Sequence, residues 1–477
     1  MKYRLWLALG AALCLEGCDL ATIDQAPTVA LPSQFSDSPG GGAAPDRDWW
    51  RGFGDPRLDR LEADVDAANP DLAAALANYQ AARANADAAT SGLFPEIDFN
   101  GGVSYNKQSG DRPLRSKGQP TYFGANQVFA GIAGYELDVW GRVRDIVKAA
   151  NAGAEAAGDA LADARLSLHG ELARDYIALR GLDAEAKLLA DTTKLYTSAL
   201  NLTRDRLNAK IAPPIDEQRA LTELNKVEAE ASDLALRRTA LVDAIATLAG
   251  KPAAGFHLSP QPAPMAYPRR PRAAPGEVLR RRPDVAQAER ETVAAGALVG
   301  AAAAARYPRF TIGLFGGTQD TGLDLLNMQN SFWSLGPSMS VPLLDFGLRE
   351  AQLRVAKAQF TATAEHYRAT VLKAVREVQD DLSALRWLAD EGRQSDAAAA
   401  AAGRALQMST ALYRDGAASY LDVVTAQDAA LTAERAALAV RTRQLQTNVA
   451  LILALGGGFS APAPNEFAQA VKTGDRP

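Results

Sequence analysis

The stretch ELARDYIALRGL at residues 171–182 is written a second time as EVQDDLSALRWL at residues 377–388. Glu171, Ala178, Leu179, Arg180 and Leu182 fall on Glu377, Ala384, Leu385, Arg386 and Leu388, at an offset of 206 (377 − 171). Working outward, the same offset carries 141–250 onto 347–456 without a gap. It sets Gly141 on Gly347, Leu200 on Leu406, Asp216 on Asp422 and Gly250 on Gly456. Upstream, Asn69-Pro70-Asp71-Leu72 and Phe94-Pro95 answer to Arg282-Pro283-Asp284-Val285 and Tyr307-Pro308, and in each half the landmarks lie 25 residues apart. The chain is a duplication, and each half is expected to build the same unit by pseudo-symmetry.

Residues 142–209 contain no proline and only four glycines, and are filled with Ala, Leu, Arg, Glu and Asp. That composition predicts one continuous helix, about 100 Å long at roughly 1.5 Å per residue. Residues 348–413 repeat it, again without proline. Helices of this length belong to a coiled coil or a tube. The apolar pattern is thin and alanine-rich, as at 397–402, which suits a wall of neighbouring helices better than a two-stranded coiled coil with strong Leu and Ile heptads. Shorter helices are expected over 56–92 and 217–250 in the first half, and over 276–306 and 421–456 in the second. Placed end to end, each pair nearly matches the long helix.

After Pro95 the period changes to two. Ile97, Phe99, Val103 and Tyr105 alternate with Asp98, Asn100, Gly102 and Ser104, and Phe129, Ala133, Tyr135, Leu137 and Val139 are assigned to one face of the next segment. Phe310, Ile312 and Leu314, then Trp333, Leu335, Met339, Val341 and Leu343, repeat the alternation in the second half. Strands of about ten residues, apolar on one side, match a transmembrane barrel. The links 106–126 and 319–331 are polar and read as surface loops. Four strands enclose nothing, and a barrel with an aqueous lumen needs more than about eight. The chain must therefore oligomerise, and a through-channel argues for three copies and twelve strands.

Composition narrows the function. The net charge is −5 with both signs interspersed, so there is no general nucleic-acid signature. The one basic cluster, Arg269, Arg270, Arg272 and Arg280 to Arg282, reads as a solvated or salt-bridged surface. Three histidines, two cysteines and no catalytic motif leave no candidate for a metal site, a cofactor or a nucleophile, and an enzyme is not expected. Cys14 and Cys18 both lie in the N-terminal segment, so no disulfide is expected. Lys2 and Arg4 precede an apolar run too short to span a bilayer, which reads as an export signal. Leu15-Glu16-Gly17-Cys18 resembles a lipobox, which would make Cys18 the lipidated residue; the alternative is an ordinary cleaved signal.

Several motifs together resemble the outer membrane factor family, in its NodT-like and OprM-like lipoprotein branch, with TolC a more distant relative. They are Trp49-Trp50-x-x-Phe53-x-Asp55-Pro56-x-Leu58, Asn69-x-Asp71-Leu72, Tyr135-Glu136-Leu137-Asp138-x-Trp140-Gly141-Arg142, Ala173-Arg174-x-Tyr176-x-x-Leu179-Arg180, Leu279-Arg280-Arg281-Arg282-Pro283-Asp284 and Pro342-Leu343-Leu344-Asp345-Phe346-Gly347. The resemblance implies a mostly α homotrimer in which a twelve-stranded outer-membrane β-barrel is continued by a periplasmic α-helical barrel. It implies a passive duct for small toxic compounds, fed by an inner-membrane pump of the resistance-nodulation-division (RND) type through a periplasmic adaptor. An ABC-type polypeptide exporter is the alternative partner, and a non-conducting structural trimer the alternative of a different class. The expected organisation is a leader over 1–18, a tether over 19–48, repeats over 49–250 and 276–456, a linker over 251–275 and a tail over 457–477. Asp19 comes directly after the cysteine, a position that in enteric lipoproteins favours inner-membrane retention; the lipid-facing strands are expected to override it.

The resemblance also places a periplasmic gate at the turns 208–216 and 413–422. A tyrosine and acidic residues that latch TolC-like tips align with Tyr413, Asp216 and Asp422. The basic latch residue falls on Ala418 and is missing, with Arg414 a candidate replacement. Asp216 and Asp422 are read either as helix caps or as a pore-lining carboxylate ring. Lys210 stands where relatives often carry glycine, and Pro213-Pro214 stiffens the chain beyond the turn.

Overall fold

The structure, a computed structural model, describes residues 27–32, 34–35, 45–111, 118, 120–268 and 281–459. Cys14, Cys18, Arg269, Arg270, Arg272 and Arg280, the leader and residues 460–477 lie outside the described residues. The described residues form two compact units, each drawn from both halves of the sequence: those within 80–157 and 288–367, and those within 28–79, 158–287 and 368–459.

The helices are α1 (Pro56–Ala68), α2 (Pro70–Ser91), α3 (Arg142–Asn208), α4 (Pro214–Leu248), α5 (Pro283–Ala304), α6 (Leu348–Arg414) and α7 (Tyr420–Ala454). The two long helices, α3 and α6, each run 67 residues, as their composition predicts. None of the described helices is long and apolar enough to cross a membrane.

The expected single helix over 56–92 is broken at Asn69. Pro70 forces the preceding residue out of the helical region, and Asn69 sits extended at φ −69°, ψ 123°. Its side chain then caps α2, accepting from the amides of Asp71 (2.8 Å) and Leu72 (2.9 Å). The break gives the two halves matching partners: α2 and α5 have 22 residues each, and α4 and α7 have 35 each. The duplicated glycines sit at these junctions. A Cβ on Gly250 would collide with the carbonyl of Ala68, and one on Gly456 with that of Arg281, while φ is +66° and +84°. Asn69 donates to the Leu248 carbonyl at 2.8 Å, and Arg282 to the equivalent Ala454 carbonyl at 3.3 Å.

In the helical unit the main core joins Trp49, Trp50, Phe53, Leu58, Leu61 and Val65 to Leu172, Tyr176 and Ile177 of α3, Val242 and Ile245 of α4, and Val449 and Ile452 of α7. Each large side chain so buried contributes about 1.5–3 kcal/mol. Asp55 caps α1 through the Arg57 amide (2.9 Å) and takes the Tyr176 hydroxyl (2.8 Å) and the Arg180 guanidinium. Arg180 also donates to the Gln261 and Ala263 carbonyls, at 2.9 and 2.6 Å, and Arg238 to that of Leu258 at 2.6 Å. The first part of the linker is thus fastened to the helices. Within the basic cluster Arg282 is salt-bridged, to Asp284 at 2.6 Å and Glu377 at 2.7 Å.

The other unit holds the strands: β1 (Asp98–Gly102), β2 (Tyr105–Lys107), β3 (Tyr122–Gly124), β4 (Asn126–Leu137), β5 (Arg309–Asp320) and β6 (Ser331–Ser340). The antiparallel sheet has the order β1-β4-β5-β6, and β2 pairs with β3. Gly102 opposite Gln127 and Tyr105 opposite Gly124 keep one register, so β2 and β3 prolong the first hairpin into what the polar pattern assigns to a loop. The second hairpin likewise pairs out to Thr318 and Ser331.

One assigned face is corrected. A register shift between Ile132 and Tyr135 puts Phe129 on the side opposite Tyr135 and Leu137. The apolar face carries rungs such as Leu137–Phe310–Met339, Ile132–Leu314–Leu335 and Phe99–Ala130–Gly316–Trp333. Phe129 joins Phe315 and Phe332 on the other face, with ring centroids 6.2–6.4 Å apart, among Asn100, Ser334 and a Thr311–Ser338 hydrogen bond of 2.6 Å. Gly131 and Gly317 let the facing strands come close: a Cβ on either would strike the opposite backbone, at Leu314 and Phe315 or at Val128 and Phe129.

Candidate functional site

The two turns that join α3 to α4 and α6 to α7 occupy equivalent places in the repeats. In the first, the Ile211 amide reaches back to the Arg206 carbonyl (2.8 Å) and Lys210 takes φ +59°. In the second, the Ala417 amide reaches back to the Leu412 carbonyl (2.8 Å) and Gly416 takes φ +79°. Both are left-handed helix stops, which glycine adopts freely and a lysine adopts at a cost of about 1 kcal/mol.

The turns differ in how the returning helix starts. Pro213 and Pro214 open α4 with no side-chain cap. Ser419 precedes α7, and Asp422 accepts from its amide at 3.0 Å and its hydroxyl at 2.8 Å. The two aspartates are therefore unlike. Asp422 is exposed and serves as a cap, whereas Asp216 is buried, with Arg219 at 3.7 Å.

Arg206, in the last turn of α3, ties the two turns together. Its Nη1 donates to the carbonyl of Tyr413 at 2.6 Å and of Arg414 at 3.3 Å, and its guanidinium lies 4.7 Å from the centre of the Tyr413 ring. Those carbonyls lie at the C-terminal end of α6, where a cation is favoured, and that of Tyr413 also accepts the Gly416 amide at 3.0 Å. Tyr413 meets Tyr420 edge to face at 5.2 Å, and both are buried among Leu200, Ala220 and Val423. Burial, with Tyr413, Glu223 and Asp216 nearby, pushes the Tyr420 hydroxyl up to about 12. It stays a neutral phenol at physiological pH. The Tyr413 hydroxyl and Arg206 Nε are buried without a hydrogen-bond partner.

Of the residues singled out in the sequence, Tyr413 lies at the centre of this cluster and Asp216 at its edge. Asp422 and Arg414 are exposed, and the part of Arg414 that enters the cluster is its carbonyl. Arg206 escaped the sequence reading, and Tyr420 enters it only as part of the turn 413–422. The repeat has Leu412 in place of Arg206, and Pro214 in place of Tyr420, so the internal alignment marks neither. The available signal was a basic residue in the last turn of a long helix.

The sequence model of the family described as outer membrane efflux protein matches residues 63–251 and 274–457. The chain belongs to that family, and it is an outer-membrane channel component of an efflux system. The pyoverdine export outer membrane protein OpmQ of Pseudomonas putida is 30% identical over 440 residues, covering 88% of this chain and 90% of that protein. The antibiotic efflux pump outer membrane protein ArpC of Pseudomonas putida is 27% identical over 465 residues, covering 94% of each. The open state of the Neisseria gonorrhoeae MtrE outer membrane channel superposes with a TM-score of 0.81 at 25% identity, over 93% of this chain and 99% of that one.

Proposed function

We propose that three copies of the chain close a twelve-stranded barrel in the outer membrane. The duct would carry small toxic compounds from an RND-type inner-membrane pump and a periplasmic adaptor, with the gate at the paired turns. The chain performs no catalytic step, and the pump supplies the energy. What supports closure is a four-stranded sheet with two unpaired edges and a broad exposed apolar face, since unpaired edges have no place in lipid. The apolar rungs face lipid, and the polar side with Phe129, Phe315 and Phe332 faces the lumen. Lipidation at Cys18 would add an anchor.

The gate reading rests on Arg206 bridging the ends of the two long helices beside Tyr413. Tyr413 and Arg206 hold the turns together, while Asp216 and Asp422 place carboxylates beside the constriction and favour cations. The relatives are named for pyoverdine export and antibiotic efflux, which supports small organic solutes as cargo. The test is single-channel conductance of the purified protein in planar bilayers, comparing wild type with Asp216→Ala plus Asp422→Ala and with Tyr413→Phe. A small cation-selective current that rises or loses selectivity in the variants is expected. A large current unchanged by any of them would remove the gate from these turns, and no current at all would leave a structural trimer.

A further inference from the structure

Three phenylalanines stand on the polar side of the sheet, where an exposed ring costs free energy in water. Phe129, Phe315 and Phe332 come from β4, β5 and β6. Their ring centroids are 6.2, 6.2 and 6.4 Å apart, so each ring meets both others at a tilt of 56–66°. Two neighbouring rungs build the cluster, Asn100–Phe129–Gly317–Phe332 and Asp98–Gly131–Phe315–Ser334. No two rings lie directly opposite: Gly317 separates Phe129 from Phe332, and Phe315 reaches both on the diagonal.

The cluster leaves ring surface open. Phe315 is 39% exposed, and Phe129 and Phe332 are half-buried. The repeated unit does not require it: at the spacing that sets Phe94 on Tyr307 (307 − 94 = 213), Phe315 falls on Gly102. Phe129 lies eight residues (137 − 129) before the end of β4 at Leu137. At roughly 3.3 Å per residue, the rings stand about 25 Å from the end of the strand that leads into α3, towards the hairpin tips.

A flat aromatic body can lie on such a patch by edge or face contact, and a cation is drawn to the ring faces. The nearer rung supplies a matching charge. Asp98 is exposed and stands two strands from Phe315, about 10 Å at the usual strand spacing. Asn100 and Ser334 complete the two rungs with neutral polar groups.

We propose that Phe129, Phe315 and Phe332, with Asp98, form a contact site for planar aromatic cations in the outer part of the duct. The rings take the aromatic body and the carboxylate takes the charge. The polar neighbours keep the site wet, so a solute is held briefly and released, as passage requires. The proposal rests on the reading above that the polar side of the sheet lines the lumen, and it adds what that lumen recognises.

Ethidium, a planar aromatic cation, serves as the probe. Its fluorescence polarisation is read with the full-length protein in phosphatidylcholine nanodiscs, against empty discs. Saturable binding above the empty discs is expected. The triple variant Phe129→Leu, Phe315→Leu and Phe332→Leu keeps apolar bulk on the sheet and removes every ring, so its half-saturating concentration should rise about tenfold or more. Asp98→Asn should raise it about threefold. No saturable binding to wild type would overturn the site, as would wild-type affinity in a triple variant whose circular dichroism matches wild type. Wild-type affinity in Asp98→Asn would overturn the role of the carboxylate.

The lining is checked separately with a membrane-impermeant thiol reagent, counting label above that of the unsubstituted chain. Ser334→Cys is expected to react, and Leu335→Cys, on the other face, to be shielded by lipid. The reverse pattern would overturn the lumen reading and the site with it. The expected pattern with ethidium binding unchanged in the triple variant would overturn the site alone.

Discussion

Replacing Arg206 by alanine removes a side chain that bridges the two turns. The guanidinium makes two hydrogen bonds to carbonyls at the end of α6 and lies 4.7 Å from the Tyr413 ring. A charged hydrogen bond contributes about 1.5–3 kcal/mol, and a partly exposed cation–π contact about 0.5–1 kcal/mol. Arg206 is half-buried, so the lower ends apply; counting only the 2.6 Å bond to Tyr413 and the ring contact, the link holds the turns together by about 2 kcal/mol per protomer. That is roughly a 30-fold change in the balance between tied and released ends. In planar bilayers, Arg206→Ala is expected to raise the open probability by at least that order. Arg206→Lys should fall between, since lysine keeps the charge but loses the planar stacking. A variant that folds and melts as wild type does, and keeps the wild-type open probability, would refute the assignment of Arg206 to the latch.

Lys210 at φ +59° carries the cost of a left-handed backbone that its counterpart Gly416 avoids. Lys210→Gly is expected to raise stability by up to about 1 kcal/mol, and Gly416→Ala to lower it by about the same, read from thermal denaturation. Gly456→Ala adds a collision with the Arg281 carbonyl to a backbone at φ +84°, so a loss of at least about 2 kcal/mol is expected, again in melting.

Glu62 is fully buried, with His169 Nδ1 at 2.6 Å, and desolvation pushes its carboxyl up to about 7 despite the imidazole. Its folded value lies above the ordinary 4.5, so the folded chain binds the proton more tightly than the unfolded one. The stabilisation is complete below about pH 4.5 and is lost as pH rises through about 7, a swing on the order of 3 kcal/mol. Glu62→Gln should flatten that part of the stability profile, and an unchanged profile would assign the dependence elsewhere.

Much of this architecture is written in local chemistry. Sixty-seven residues without proline and rich in alanine leave the chain little choice but a single helix, and alternation over ten residues gives a strand with one apolar side. The duplication carries both to the second half, and with them the equivalence of the two turns. The break at Asn69-Pro70 has a local cause, because proline excludes a helical residue before it, but the helical composition on either side hides it from a reading by composition.

Other features depend on groups far apart in sequence. The register shift after Ile132 reverses which residues share a face, and it exists only in the pairing of β4 with β5. Asp216 and Asp422 occupy identical places in the repeat, but one is buried and the other caps a helix, because Pro213-Pro214 and Ser419-Tyr420 open their helices differently. Arg206 acquires its partners from residues more than two hundred positions away. The repeated unit, its helices and strands, and the need for further copies follow from residue order, since they come from local propensity and from strand edges that cannot stay open. Tertiary structure alone decided which side chains meet at the turns and which face each phenylalanine takes, since burial and pairing are properties of neighbours that no local pattern encodes.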